Sequence, residues 1–177
     1  MSNKAYIYLG LSILAISLTN ALPVQGQQSG KKHCAMTHKH IDAINARGDK
    51  EMGFEHLKTT HHFLLASDGG AIQVEANDAN DKQSRDQIRQ HLQHIATMFA
   101  DGNFNTPTVI HAQAPPGTEL MKQLKSEISY QFRETPRGAT VRITTRNPNA
   151  LQAIHDFLRF QIKEHMTGDS LEIVPVR

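Results

Sequence analysis

Twice along this chain an alternating apolar run meets a glycine-bearing turn, resumes, and gives way to a stripe of helical period. Residues 61–66 and 71–76 flank Ser67-Asp68-Gly69-Gly70, a pattern that predicts a β-hairpin. A helix over about residues 80–100 follows, its apolar stripe made by Ile88, Leu92, Ile95 and Phe99, and Asp101-Gly102-Asn103 ends it. The plan then repeats. Residues 128–133 and 140–145 flank Glu134-Thr135-Pro136-Arg137-Gly138, with Ile128, Tyr130, Phe132, Val141 and Ile143 on one face. Asn147-Pro148 opens a second helix to about residue 165, striped by Leu151, Ile154, Leu158 and Ile162 and stopped by Gly168. A β-β-α-β-β-α order implies an α+β domain. The expectation is a pseudo-repeat: an antiparallel sheet of four or five strands with two long helices on one face.

The remaining segments carry weaker signals. Residues 33–47 have helical character, with Ile41 and Ile44 three apart and Gly48 placed to end the run. A short helix is expected at 118–125, and 171–176 reads as an edge strand, a position that Pro175 tolerates. Residues 102–117 show no element of their own, but Val109, Ile110 and His111 suggest a loop packed against the domain.

The amino terminus bears on location. Lys4 precedes an apolar run of about 14 residues, too short to span the ~30 Å hydrocarbon core but suited to a signal-peptide h-region. Val24 and Gly26 offer small residues for cleavage after Gly26, so 1–26 reads as a signal, 27–50 as a partly helical leader, and 51–177 as one domain. The expected location is therefore periplasmic or secreted, with no membrane insertion after cleavage. A formal charge of +2 falls to +1 without Lys4, which gives no footprint for nucleic acid. One cysteine excludes an internal disulfide, so packing must hold the fold.

Eleven histidines stand out, all beyond residue 26. Imidazole is the commonest transition-metal ligand, and thiolate and thioether favour Cu(I). The leader holds His33, Cys34, Met36, His38 and His40 within eight residues. Met52 and His56 precede His61 and His62, which must point to opposite faces of their strand. His91, His94 and Met98 share a flank of the first long helix, while His155 and His165 fall within the stripe of the second. His111 lies in the connecting segment. Each has a plainer alternative: a polar linker, a core histidine bonded to backbone, or a hydrogen-bond network. No spacing matches a strict zinc or haem signature, and no nucleophile elbow, phosphate loop or carboxylate pair is identifiable.

Several phrases carry a resemblance. Met52-Gly53-Phe54, Thr59-Thr60-His61-His62-Phe63, His91-Leu92 with His94-Ile95-Ala96, and Ile154-His155-Asp156-Phe157-Leu158-Arg159-Phe160-Gln161-Ile162 are the principal ones. Together they resemble a family of small exported bacterial proteins of unassigned activity, some with Met/His-rich leaders. The likeness covers about two-thirds of the chain. It implies a periplasmic setting and agrees with a copper-related role, with no activity to carry over. The expectation is a transition-metal-binding protein, for copper first and zinc second, acting in sequestration, delivery or sensing. The alternatives are a metal-free histidine-rich interaction domain and a metal-dependent hydrolase or redox enzyme.

Cleavage of the signal should leave a mature amino terminus between residues 22 and 27. Intact-mass measurement of the exported protein checks this, and a chain retaining Met1 in a membrane fraction would contradict it.

Overall fold

The computed structural model describes residues 29–175, with side chains from residue 38 onward. The expected signal segment 1–26 and the side chains of His33, Cys34 and Met36 lie outside the described residues. The chain begins with α1 (Ser29–Met52), then a 3-10 turn at His56–Lys58, β1 (Thr59–Ala66) and β2 (Gly69–Ala76). Three helices follow: α2 (Lys82–Ala100), α3 (Asn105–His111) and α4 (Thr118–Gln123). The chain is completed by β3 (Ile128–Glu134), β4 (Gly138–Thr145) and α5 (Pro148–Glu164).

The strands form one antiparallel sheet in the order β1-β2-β4-β3. The architecture is α+β, as the two hairpin signals imply. Each hairpin pairs along its own strands, and β2 joins β4 through Ile72↔Val141 and its neighbours in register. Alternation sends Phe63, Leu65, Ile72, Val74, Val141 and Ile143 into the core, each less than a tenth exposed.

Both expected helices form where their caps allow. Asp81 accepts a hydrogen bond from the Ser84 amide at 3.0 Å and so starts α2. Asn147 accepts from Asn149 and Ala150, with Pro148 in the first turn of α5, where its missing N–H costs nothing. Ile88, Leu92, Ile95 and Phe99 from α2 meet Ile154, Phe157, Leu158 and Ile162 from α5 in one core. Phe99 lies edge-on to Phe157 at 5.8 Å and packs on Phe104 at 4.5 Å.

Four expectations need correction. Gly48 does not end the first helix: it is buried, and a Cβ there would lie 3.1 Å from the Met52 side chain. The helix ends at Met52, followed by Gly53 in the left-handed region (φ +78°). At 24 residues α1 is the longest helix described, so two long helices are not the whole helical layer. It packs on α3 and buries Ile44 to 1 % exposure, so residue 50 falls inside an element of the packed structure. Residues 102–117 are not without an element, because they contain α3. Seven residues give too short a period to detect, and Pro107 sits harmlessly in the first turn. Finally, of the expected edge strand 171–176 the described residues, 171–175, contribute one parallel bridge, Ala66↔Val174, and no strand; Pro175 has no N–H to extend the pairing.

Gly117 starts α4 at φ +83°, with the Ala153 carbonyl oxygen 2.1 Å from where a Cβ would sit. Both the backbone region and the contact with α5 therefore demand glycine. Gly117→Ala should cost at least about 2 kcal/mol in denaturant unfolding.

Candidate metal centre

Four histidines from four elements meet around one small cavity of about 60 Å³. His61 comes from β1, His91 from α2, His111 from the end of α3, and His165 from the C-terminal cap of α5. Local periodicity turns three of them inward. His61 shares its strand face with Phe63 and Leu65, both buried. His91 lies one turn before Ile95, and His165 one turn after Gln161, so both follow their helices' inner stripes. Met52, at the end of α1, adds a thioether to the wall.

The rings are close but not convergent. His61 and His165 stack at 5.9 Å between centroids and 3° between planes, and His165 meets His111 edge-on at 5.0 Å. Phe54 bridges the other side, stacked on His61 at 5.9 Å and edge-on to His91 at 5.6 Å. Among the described residues no group of three or more His, Cys, Asp or Glu is spaced to hold a metal ion.

Two ring nitrogens are sealed from water without a hydrogen-bond partner: Nε2 of His61 and Nδ1 of His111. His111 Nε2 lies 3.0 Å from Gln161 Oε1, and the Gln161 amide nitrogen is also buried and unpartnered. Glu164 stands 3.8 Å from His111 Nδ1, beyond hydrogen-bond range, and pairs with His40 Nε2 at 2.7 Å. An unpaired buried polar group costs about 1–3 kcal/mol. Several in one cavity of a small domain are a standing cost that packing alone does not explain.

Burial governs the protonation of these rings. It pushes His61 down to about 4, helped by His62 and His56 and partly opposed by Asp49. His91 falls to about 4, first through burial and then through His61 and His94. His165 falls to about 3 through burial, with His61 and His111 adding to it. His111 is also lowered by burial, against the raising effects of Gln161 and Glu164.

The other candidate residues lie elsewhere. His155 is buried, and its Nε2 sits 2.9 Å from the Ala66 carbonyl and 3.0 Å from that of Gly69. It fastens α5 to the β1–β2 turn and does not meet His61. His62 points to the opposite side of β1 and pairs with Asp169 at 2.8 Å. Burial alone would raise the Asp169 carboxyl, but bonds from Thr167, His62 and the Phe63 amide hold it below its usual value. His56 pairs with Asp49 at 2.9 Å in the cleft beneath α1. His94 is exposed, while Met98 packs against the core and its sulfur lies 3.9 Å from the Thr106 hydroxyl. His38 is exposed on α1. His33, Cys34 and Met36 belong to the backbone of α1, with side chains outside the described residues.

Sequence reasoning missed Gln161, Glu164 and Asp169, which are partners of histidines and not candidate ligands themselves. The available signal was the four-residue step Phe157, Gln161, His165, which lines one side of the cavity. No family model matches the chain, and no curated protein or solved structure matches it significantly.

The three strongly lowered histidines set an acid limit. Their folded pKa values of about 4, 4 and 3 lie below the ordinary 6.5, so the unfolded chain binds the extra protons. Their contribution is complete above pH 6.5 and is lost as pH falls towards 4 and then 3. In metal-free buffer, urea midpoints should drop steeply between pH 6.5 and 4, with up to about three protons taken up on unfolding. A flat profile across that window would show that these rings are not buried neutral.

Proposed function

We propose that this protein binds a transition-metal ion, copper first and zinc second, in the four-histidine cavity. Its role on this reading is sequestration, delivery or sensing of that ion outside the cytoplasm. One observation carries it: imidazoles from β1, α2, α3 and the C-terminal cap of α5 and the thioether of Met52 line one small cavity, in which His61 Nε2 and His111 Nδ1 lack hydrogen-bond partners. Metal binding would supply the partner that the protein does not. A bound ion lies about 2.0–2.1 Å from each imidazole nitrogen, so the rings must draw together from their present separations. His165 is the ring best placed to move. It caps α5, and the chain beyond it turns through Met166 (φ 49°) and Gly168 (φ 76°) without helical restraint.

The second reading is a metal-free histidine-rich interaction domain. The ring spacing favours it, since no set of three described ligands is spaced for an ion. The two readings differ in their thermodynamics. A ligand bound only by the native state at a hundred times its dissociation constant stabilises by about 2.7 kcal/mol.

The test uses the whole mature chain, because α1 is part of the packed structure. In a Cys34→Ser/Met36→Ala background that weakens the leader, copper or zinc should raise the melting temperature and a chelator should reverse the rise. His91→Ala should abolish it, while His94→Ala, on the exposed side of α2, should not. Melting indifferent to both metals would leave the metal-free reading.

A further inference from the structure

We infer that the histidine cavity selects a monovalent soft ion, Cu(I), over Zn(II) and Cu(II). The inference rests on the metal-binding reading above and adds the oxidation state and charge of the ion. Its first ground is the chemistry of the wall. Every group there that could hold a metal, His61, His91, His111, His165, Met52 and Gln161, binds as a neutral donor. Among the described residues no aspartate or glutamate lines the cavity, and apart from Thr106 the remaining wall is apolar. An ion seated there keeps its full charge in a medium of low polarisability. The desolvation cost of an ion grows with the square of its charge, so a dication of similar size is penalised roughly four times as heavily as a monocation. Carboxylates that could offset a second charge are engaged elsewhere: Glu164 with His40 at 2.7 Å and Asp49 with His56 at 2.9 Å.

The second ground is size. About 60 Å³ admits a bare ion and at most a few waters, so an ion that keeps a full hydration shell is excluded. Cu(I) sheds its water readily and accepts low coordination numbers from imidazole and thioether, which are the donors present.

The third ground is access. Met52, His61 and His165 also line a cleft of about 240 Å³ beneath α1, which carries His56 at its side. An ion arriving through this cleft meets the Met52 sulfur and two imidazoles without crossing the apolar core. Met52 thus belongs to both spaces, and among the described residues its thioether is the one sulfur donor where they meet.

The experiment titrates the mature Cys34→Ser/Met36→Ala chain anaerobically with Cu(I) against a colorimetric Cu(I) chelator, with Ag(I) as a redox-inert counterpart. Zn(II) and Cu(II) are titrated in parallel. Cu(I) and Ag(I) should bind and raise the melting temperature, whereas Zn(II) and Cu(II) should shift it far less. Met52→Leu keeps the volume and removes the sulfur, so it should weaken Cu(I) binding while circular dichroism stays unchanged. His61→Gln should weaken it further, and X-ray absorption should report nitrogen and sulfur at low coordination number. Equal or tighter binding of Zn(II), lost in His61→Gln, would overturn the selectivity and leave the metal-binding reading standing. Binding of no metal would remove both. Cu(I) binding indifferent to Met52→Leu and His61→Gln would place the ion outside the cavity and overturn the inference.

Discussion

The pairing of β2 with β4 makes one molecule of two hairpins. Ala139, Val141 and Ile143 on β4 are wholly buried, and Ile72 and Val74 across the seam are nearly so. Without that seam each hairpin would be a two-stranded ribbon, marginal in water. With it the sheet offers a broad apolar face, and α2 and α5 can share it. The seam tolerates little bulk: a Cβ on Gly69 would lie 2.0 Å from the Ile143 carbonyl oxygen, and one on Gly138 2.1 Å from that of Val74. His155 secures the same corner through the Ala66 and Gly69 carbonyls, and Arg142 bonds both Asp68 and the Gly70 carbonyl. The end of α5 is thereby aimed, and the position of His165 follows from it.

The cavity lies where this arrangement leaves space. On one side Phe99, Phe104 and Phe157 fill the gap between α2, α3 and α5 with aromatic contacts of 4.5 to 6.2 Å. On the other, where apolar side chains would complete the same layer, imidazoles stand instead. The substitution is expensive, since buried histidines lose solvation and titrate well below neutrality. Where a histidine is purely structural this chain satisfies it, as His155 shows with two backbone carbonyls. The contrast between His155 and the unpartnered nitrogens of His61 and His111 separates the core from the proposed site.

Two terminal segments restrict this space from the outside. Helix α1 buries Ile44, contributes Met52 to the cavity wall and donates from Arg47 to the Ile110 carbonyl at 2.6 Å, which ties it to α3 beside His111. Beyond α5, Asp169 accepts from the Phe63 amide at 2.9 Å and holds His62, so the chain after His165 is fastened to β1. His165 is therefore held at both ends of a short, irregular stretch, a position that permits small displacements of its ring.

Local pattern was enough for much of this fold. Alternation about two glycine-bearing turns determined both hairpins, and the stripes Ile88-Leu92-Ile95-Phe99 and Ile154-Leu158-Ile162 determined α2, α5 and the residues they bury. Strand alternation also separated His61 from His62, because adjacent residues on a strand cannot share a face. Tertiary structure decided the rest. Helix α3 was invisible because seven residues carry too little period, and α1 runs on through Gly48, which is buried inside the helix instead of ending it. Which histidines gather was equally beyond local pattern. His155 and His165 lie in one helical stripe, yet one reaches the β1–β2 turn and the other reaches His61, since ten residues put one in the middle of α5 and the other at its C-terminal cap. The strand order and the direction of each helix across the sheet set those distances, and they arise only when contacts remote in sequence close together.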